Sequence, residues 1–135
     1  MNKLILEDIN KEFVDNISFC HIGYGGCFGY SECIIFMNTK GNLYRCNVRD
    51  KKDNYYINLD ELTKRLSEHG FNLDYEGLRM VKDWNEVYMG GCGNYLYIKP
   101  IYALEFYRFA YGSSYEDIYN HWQEFAKHIL STYKQ

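Results

Sequence analysis

Residues 84–100, WNEVYMGGCGNYLYIKP, decide the fold class. Two short runs of alternating residues flank a glycine-rich turn, Gly90-Gly91-Cys92-Gly93-Asn94, a pattern that predicts a β-hairpin. Successive strand side chains point to opposite faces, so Val87, Met89, Leu96 and Ile98 share one face. The other receives Trp84, Glu86, Tyr88, Tyr95, Tyr97 and Lys99. The first set reads as a core face. A face carrying one Trp and three Tyr needs either a covering layer, for which the C-terminal helices are available, or a partner.

Upstream, Gly25-Gly26-Cys27-Phe28-Gly29-Tyr30 echoes the hairpin turn. Ile17–Ile22 reads as a strand entering this first glycine loop, Gly23–Gly29. Ser31–Asn38 is apolar on both faces, the mark of a central strand. Thr39-Lys40-Gly41-Asn42 is a turn, and Leu43–Arg49 returns with Tyr44, Cys46 and Val48 inward and Arg45, Asn47 and Arg49 outward. Tyr55-Tyr56-Ile57 suggests a further short strand.

Four helices are expected around these strands. Leu6, Ile9, Phe13 and Val14 recur at helical spacing over about Leu4–Asp15. Asn58 and Glu61 form a capping pair that opens a helix from Leu59 to His69, with Leu59, Leu62 and Leu66 as its buried stripe and Gly70 as its stop. Pro100 suits a first helical turn, and Ile101–Tyr111 is apolar almost all round, with only Glu105 and Arg108 polar. Such a helix is either buried on several sides or lies in an interface. Ser113 and Glu116 read as a second capping box, followed by apolar positions at 3/4 spacing from Tyr115 through Trp122 to Tyr133. Asp74 is expected to cap a short helical segment through Met80. The sum is one α+β domain over residues 1–135, with an antiparallel sheet of about five strands packed by N-terminal and C-terminal helices.

Composition narrows the function classes. Hydrophobic residues make up 47% and charged residues 24%, a globular balance. A formal net charge of −3 argues against a nucleic-acid partner. No apolar run approaches the ~18 residues needed to span a bilayer, and the acidic residues that begin at Glu7 do not suit a signal peptide. Cytoplasm is the expected location. Heavy use of Tyr, Phe, Ile, Asn and Lys with a single Pro fits A+T-rich coding, as in a low-G+C bacterium or its phage.

Five cysteines, with no CxxC, do not form a paired disulfide framework. Cys20, His21, Cys27 and Cys33 lack the two-to-four-residue spacing of zinc knuckles, so buried thiols are the expectation, with no metal and no cofactor. Cys27 and Cys92 sit in glycine loops that could lower a thiol pKa, and His21, His69, His121 and His128 are available as bases. No local signature joins them into a catalytic set. Neither glycine loop matches a phosphate-binding motif. Arg45, Arg49, Lys51 and Lys52 beside Tyr55 and Tyr56 form a basic strip of the kind that protects an edge strand.

The 15 tyrosines are the strongest departure from average composition, and Tyr offers large contact area with little rotamer entropy. The sequence therefore points to a non-enzymatic module that binds a protein partner through a tyrosine-rich surface: Tyr24, Tyr30, Trp84, Tyr88, Asn94, Tyr95 and Tyr97. A small inhibitor, of toxin-immunity or phage anti-defence type, fits that profile. The alternative is a small enzyme or nucleotide-binding protein using the Gly-Gly-Cys loops. Oligomeric state is open, a homodimer included.

Overall fold

Alternation on both faces of the central strands builds a sheet with two cores. The computed structural model describes residues 1–24, 32–48, 57–74, 80–88 and 94–133. Six strands form the main sheet: β1 (Asn2–Lys3), β2 (Ile17–Tyr24), β3 (Glu32–Asn38), β4 (Leu43–Asn47), β7 (Asn85–Tyr88) and β8 (Asn94–Ile98). Their order is β1-β4-β3-β2-β8-β7, and every pairing is antiparallel except β1 with β4. A separate two-stranded sheet pairs β5 (Leu73–Asp74) with β6 (Met80–Val81). The fold class is α+β, with one strand more in the main sheet than the sequence suggested.

Register places Cys20, Phe36 and Tyr97 in one row and Ile22, Ile34 and Tyr95 in the next. These residues share a core with Leu62 and Leu66 of helix α2 (Leu59–Glu68), Val14 of α1 (Lys11–Asp15), and Phe71, Leu73 and Val81 around the small sheet. On the opposite face Phe19, Ile35, Met37, Leu96 and Ile98 pack under α3 (Pro100–Phe109) and α4 (Tyr115–Thr132), through Phe106, Trp122, Ala126 and Ile129.

Local chemistry explains most element boundaries. Asn58 Oδ1 accepts the Glu61 amide at 3.2 Å to open α2, and Gly70 past its end takes φ 91°, which only glycine adopts without strain. Gly41 turns β3 into β4 at φ 82°, with Asn38 Oδ1 accepting the Lys40 and Asn42 amides. Pro100 occupies the first turn of α3, where its missing N–H costs nothing.

Several expectations are corrected. The N-terminal helix is broken: Leu6–Asp8 is a single 3₁₀ turn, and α1 starts only at Lys11 because Asn10 caps the Phe13 amide at 2.9 Å. The capping box of α4 is Ser114 with Asp117, one residue beyond the expected Ser113 and Glu116. Asp74 and Met80 pair as strand residues, so the short helix proposed to run between them does not begin or end there. Gly23 belongs to β2 and not to the glycine loop.

Candidate functional site

Two tyrosines of the hairpin face expected to recognise a partner are core. Tyr95 is 8% exposed and Tyr97 1% exposed. Trp84 is half-buried and packs edge-on against Phe71, with ring centroids 5.1 Å apart. The cover comes from α1, α2 and the small sheet, and not from the C-terminal helices, which lie on the Leu96 face. Burying a tyrosine row this way removes large apolar area from water, which favours cover over exposure. Tyr95 and Tyr97 therefore do not present a contact surface. Tyr24 ends β2, and Tyr88 ends β7 opposite Tyr95. Tyr30, Cys27, Cys92 and the basic residues Arg49, Lys51 and Lys52 lie outside the described residues.

The exposed aromatic surface is on the other side of the molecule. Along α3, Tyr102, Ala103 and Phe106 face the sheet, while Ile101 and Leu104 point outward at 59% and 61% exposure. Tyr111, just past the helix, is 90% exposed, and Tyr115 at the start of α4 is 60% exposed. Tyr107, Phe109 and Tyr119 are exposed as well. Ile101 and Leu104 are three residues apart and so lie on one side of α3, and adjoining exposed apolar side chains are a mark of a contact site. Glu105 and Arg108 pair at 2.9 Å on the same helix, and Glu116 and Asp117 give the first turn of α4 an acidic character that also suits the helix dipole.

The all-round apolarity of Ile101–Tyr111 was the sequence signal for this surface. In α4, the stripe from Tyr115 to Tyr133 is wider than one buried face. Its aliphatic and Trp members are core, and Tyr115, Tyr119 and Tyr133 form its exposed margin.

A second constellation forms where β2, β3 and β8 meet. Gly23 pairs with Cys33 on one side and Asn94 on the other, and His21 stands two residues back on the same face. A Cβ built on Gly23 would lie 3.2 Å from Asn94 Oδ1, 3.5 Å from His21 Cε1 and 3.7 Å from Cys33 Sγ. Trp122 and Tyr119 roof the imidazole, with ring centroids 5.8 and 6.4 Å away. His21 is 8% exposed, and its polar neighbour is the side chain of Asn94.

Burial pushes the His21 pKa down to about 4, and a side-chain hydrogen bond with Asn94 partly offsets this. Burial also raises the Cys33 thiol, against the opposing pull of the Arg45 guanidinium. Cys20 and Cys46 point into the other core, where burial holds both thiols protonated, Cys46 at about 12. The sheet thus separates Cys20 from His21 and Cys33, although the three lie close in sequence.

A cleft of about 630 Å³ opens between the N-terminal strand and α2, with Lys3, Arg45, Asn58 and Glu61 in its wall, and no cysteine or histidine lines it among the described residues. No described helix is long and apolar enough to cross a membrane. No family model, curated protein or solved structure matches the chain.

Proposed function

We propose that this protein is a non-enzymatic protein-binding module of the inhibitor kind, toxin-immunity or anti-defence in type. Its recognition surface is the outer side of α3 and the first turns of α4. The observation that supports this reading is the exposure of Ile101, Leu104, Tyr111 and Tyr115 in a chain whose hairpin tyrosines are buried. Interfaces concentrate aromatic residues at a desolvated centre and polar groups at the rim. Here the rim carboxylates Glu116 and Asp117, together with a net charge of −3, select a partner surface that is basic around an apolar centre.

The test uses the full chain and a purified partner first captured from the source cell. Tyr111→Ala and Leu104→Ala should each weaken binding by about tenfold or more, as aromatic and apolar anchors do. Both variants should keep the wild-type urea midpoint, since both positions are exposed. Raising salt should slow association, because rim charges act mainly on the encounter rate. A partner that binds both variants with wild-type affinity, or without salt dependence, would remove this surface from consideration.

A further inference from the structure

Two separate segments share the outer edge of β4, and a cleft opens where one gives way to the other. β1 pairs with Tyr44 and Arg45, and the Leu4 amide donates to the Arg45 carbonyl at 2.8 Å. The chain then turns away into Leu6–Asp8. Ile57 takes up the same edge further on, donating its amide to the Asn47 carbonyl at 3.0 Å and bridging Val48. The gap between the two segments is the cleft of about 630 Å³, with Asn58 and Glu61 at the start of α2 in its wall. Sites for small molecules occupy roughly 300–1,000 Å³, so the size is suitable.

The wall concentrates unmatched charge. Lys3 and Arg45 stand directly opposite each other in the parallel register, and like charges facing across a ladder repel. Neither has a carboxylate within ion-pairing distance among the described residues, whose ion pairs lie on α1, α3 and α4. Arg45 Nε donates to Asn47 Oδ1 at 3.2 Å, which steadies the guanidinium, and its two terminal nitrogens donate to no other described residue. A guanidinium held this way matches the oxygens of a phosphate.

The same wall carries the carboxylates of Glu7 and Glu61 and the half-buried side chains of Leu6 and Ile57. A bare anion gains from the cations and loses to the carboxylates. A ligand with hydroxyl or amine donors beside its anionic group satisfies both signs, and a flat apolar portion uses the aliphatic wall.

We infer that this cleft binds a nucleoside monophosphate. Lys3 and Arg45 take the phosphate, the Glu61 carboxylate accepts from ribose hydroxyls, and Leu6 and Ile57 pack against the base. Asn58 Oδ1 is already engaged by the Glu61 amide, so its carboxamide nitrogen is the donor left for the base edge. β1 and β7 are opposite ends of the main sheet, and Tyr107 of α3 sits on β7. The cleft is therefore separate from the α3 surface and does not depend on the binding role proposed above.

Isothermal titration calorimetry of the full chain with AMP, GMP, CMP and UMP tests the site. At least one should bind once per chain, about tenfold or more tightly than its own nucleoside and than inorganic phosphate, since the site reads both parts of the ligand. Lys3→Ala and Arg45→Ala should each weaken that binding by about tenfold, as loss of a charge-assisted contact does. Both positions are exposed, so unchanged urea midpoints should show that the variants are folded. Lys64→Ala, a cation of α2 outside the cleft, and Leu104→Ala on α3 should leave binding unchanged. The inference is overturned if none of the four nucleotides binds saturably, or if inorganic phosphate binds as tightly as the nucleotide, which would make this an adventitious anion only. It is also overturned if Lys3→Ala and Arg45→Ala both bind like the wild type.

Discussion

Leu96 and Tyr97 are consecutive residues of β8, and each is sealed in a different core. Leu96 lies under α3 and α4, and Tyr97 lies in the cluster that holds Leu62 and Leu66 of α2. One strand thus joins two hydrophobic layers across the thickness of a single sheet. Truncating either residue should destabilise the fold. Leu96→Ala is expected to cost ~2–5 kcal/mol and Tyr97→Ala ~3–5 kcal/mol, as for other large-to-small core changes. Urea unfolding measures both. A Tyr97→Ala variant within ~0.5 kcal/mol of wild type would mean that the face is open in solution.

Trp122 anchors α4 through two contacts at once, the apolar core and the His21 ring at 5.8 Å. Trp122→Ala should cost ~3–5 kcal/mol. Gln123→Ala, the adjacent residue outside that core, should cost less than ~0.5 kcal/mol. Equal midpoints for the two variants would show that α4 does not pack as described.

Acid should destabilise the protein through His21. Its pKa is 6.5 as a free group and about 4 when folded, so between those values the unfolded chain binds a proton that the folded chain refuses. The stability present above pH 6.5 is lost progressively as pH falls toward 4, reaching ~3 kcal/mol at the lower end. His21→Phe should flatten this part of the profile. Urea midpoints at pH 7 and pH 4.5 for the two proteins provide the measurement, and identical slopes would contradict it.

Tyr107 donates its hydroxyl to the Glu86 carbonyl at 3.1 Å, which covers part of β7, one of the two edge strands of the main sheet. Burial and the Glu86 carboxylate raise its pKa, so the hydroxyl remains a donor at neutral pH. Tyr107→Phe should lower stability by ~1 kcal/mol or less, the net worth of a partly exposed hydrogen bond. It should also speed concentration-dependent self-association, because an uncovered strand edge can pair with another chain. Light scattering over time separates the second effect from the first, and unchanged scattering would exclude edge protection.

Much of the local architecture was legible because its causes are local. Asn58, Gly41, Gly70, Gly112 and Pro100 each act within a few residues, through a cap, a positive φ or a missing N–H. The N-terminal segment misled because Leu6, Ile9, Phe13 and Val14 keep helical spacing across a break that Asn10 makes by capping a new start. The candidate surface was half visible. The apolar circumference of α3 announced two contact sides, yet nothing in its sequence says which side the sheet takes.

By itself the sequence determined which residues share a face: alternation put Tyr95 and Tyr97 on one side of β8 and Leu96 and Ile98 on the other. Only the tertiary structure decided what covers each side. α2, distant from β8 in sequence, supplies the layer over the tyrosines, while α3 and α4 shield the aliphatic face and keep their own outer residues exposed. Likewise, spacing described Cys20, His21 and Cys33 as near neighbours, and the pleat of the sheet sent Cys20 to the opposite core while register delivered Asn94 to the other two. The reason is one of range. Periodicity and caps express interactions within a turn or a strand, whereas burial is set by whichever distant surface removes the most apolar area from water.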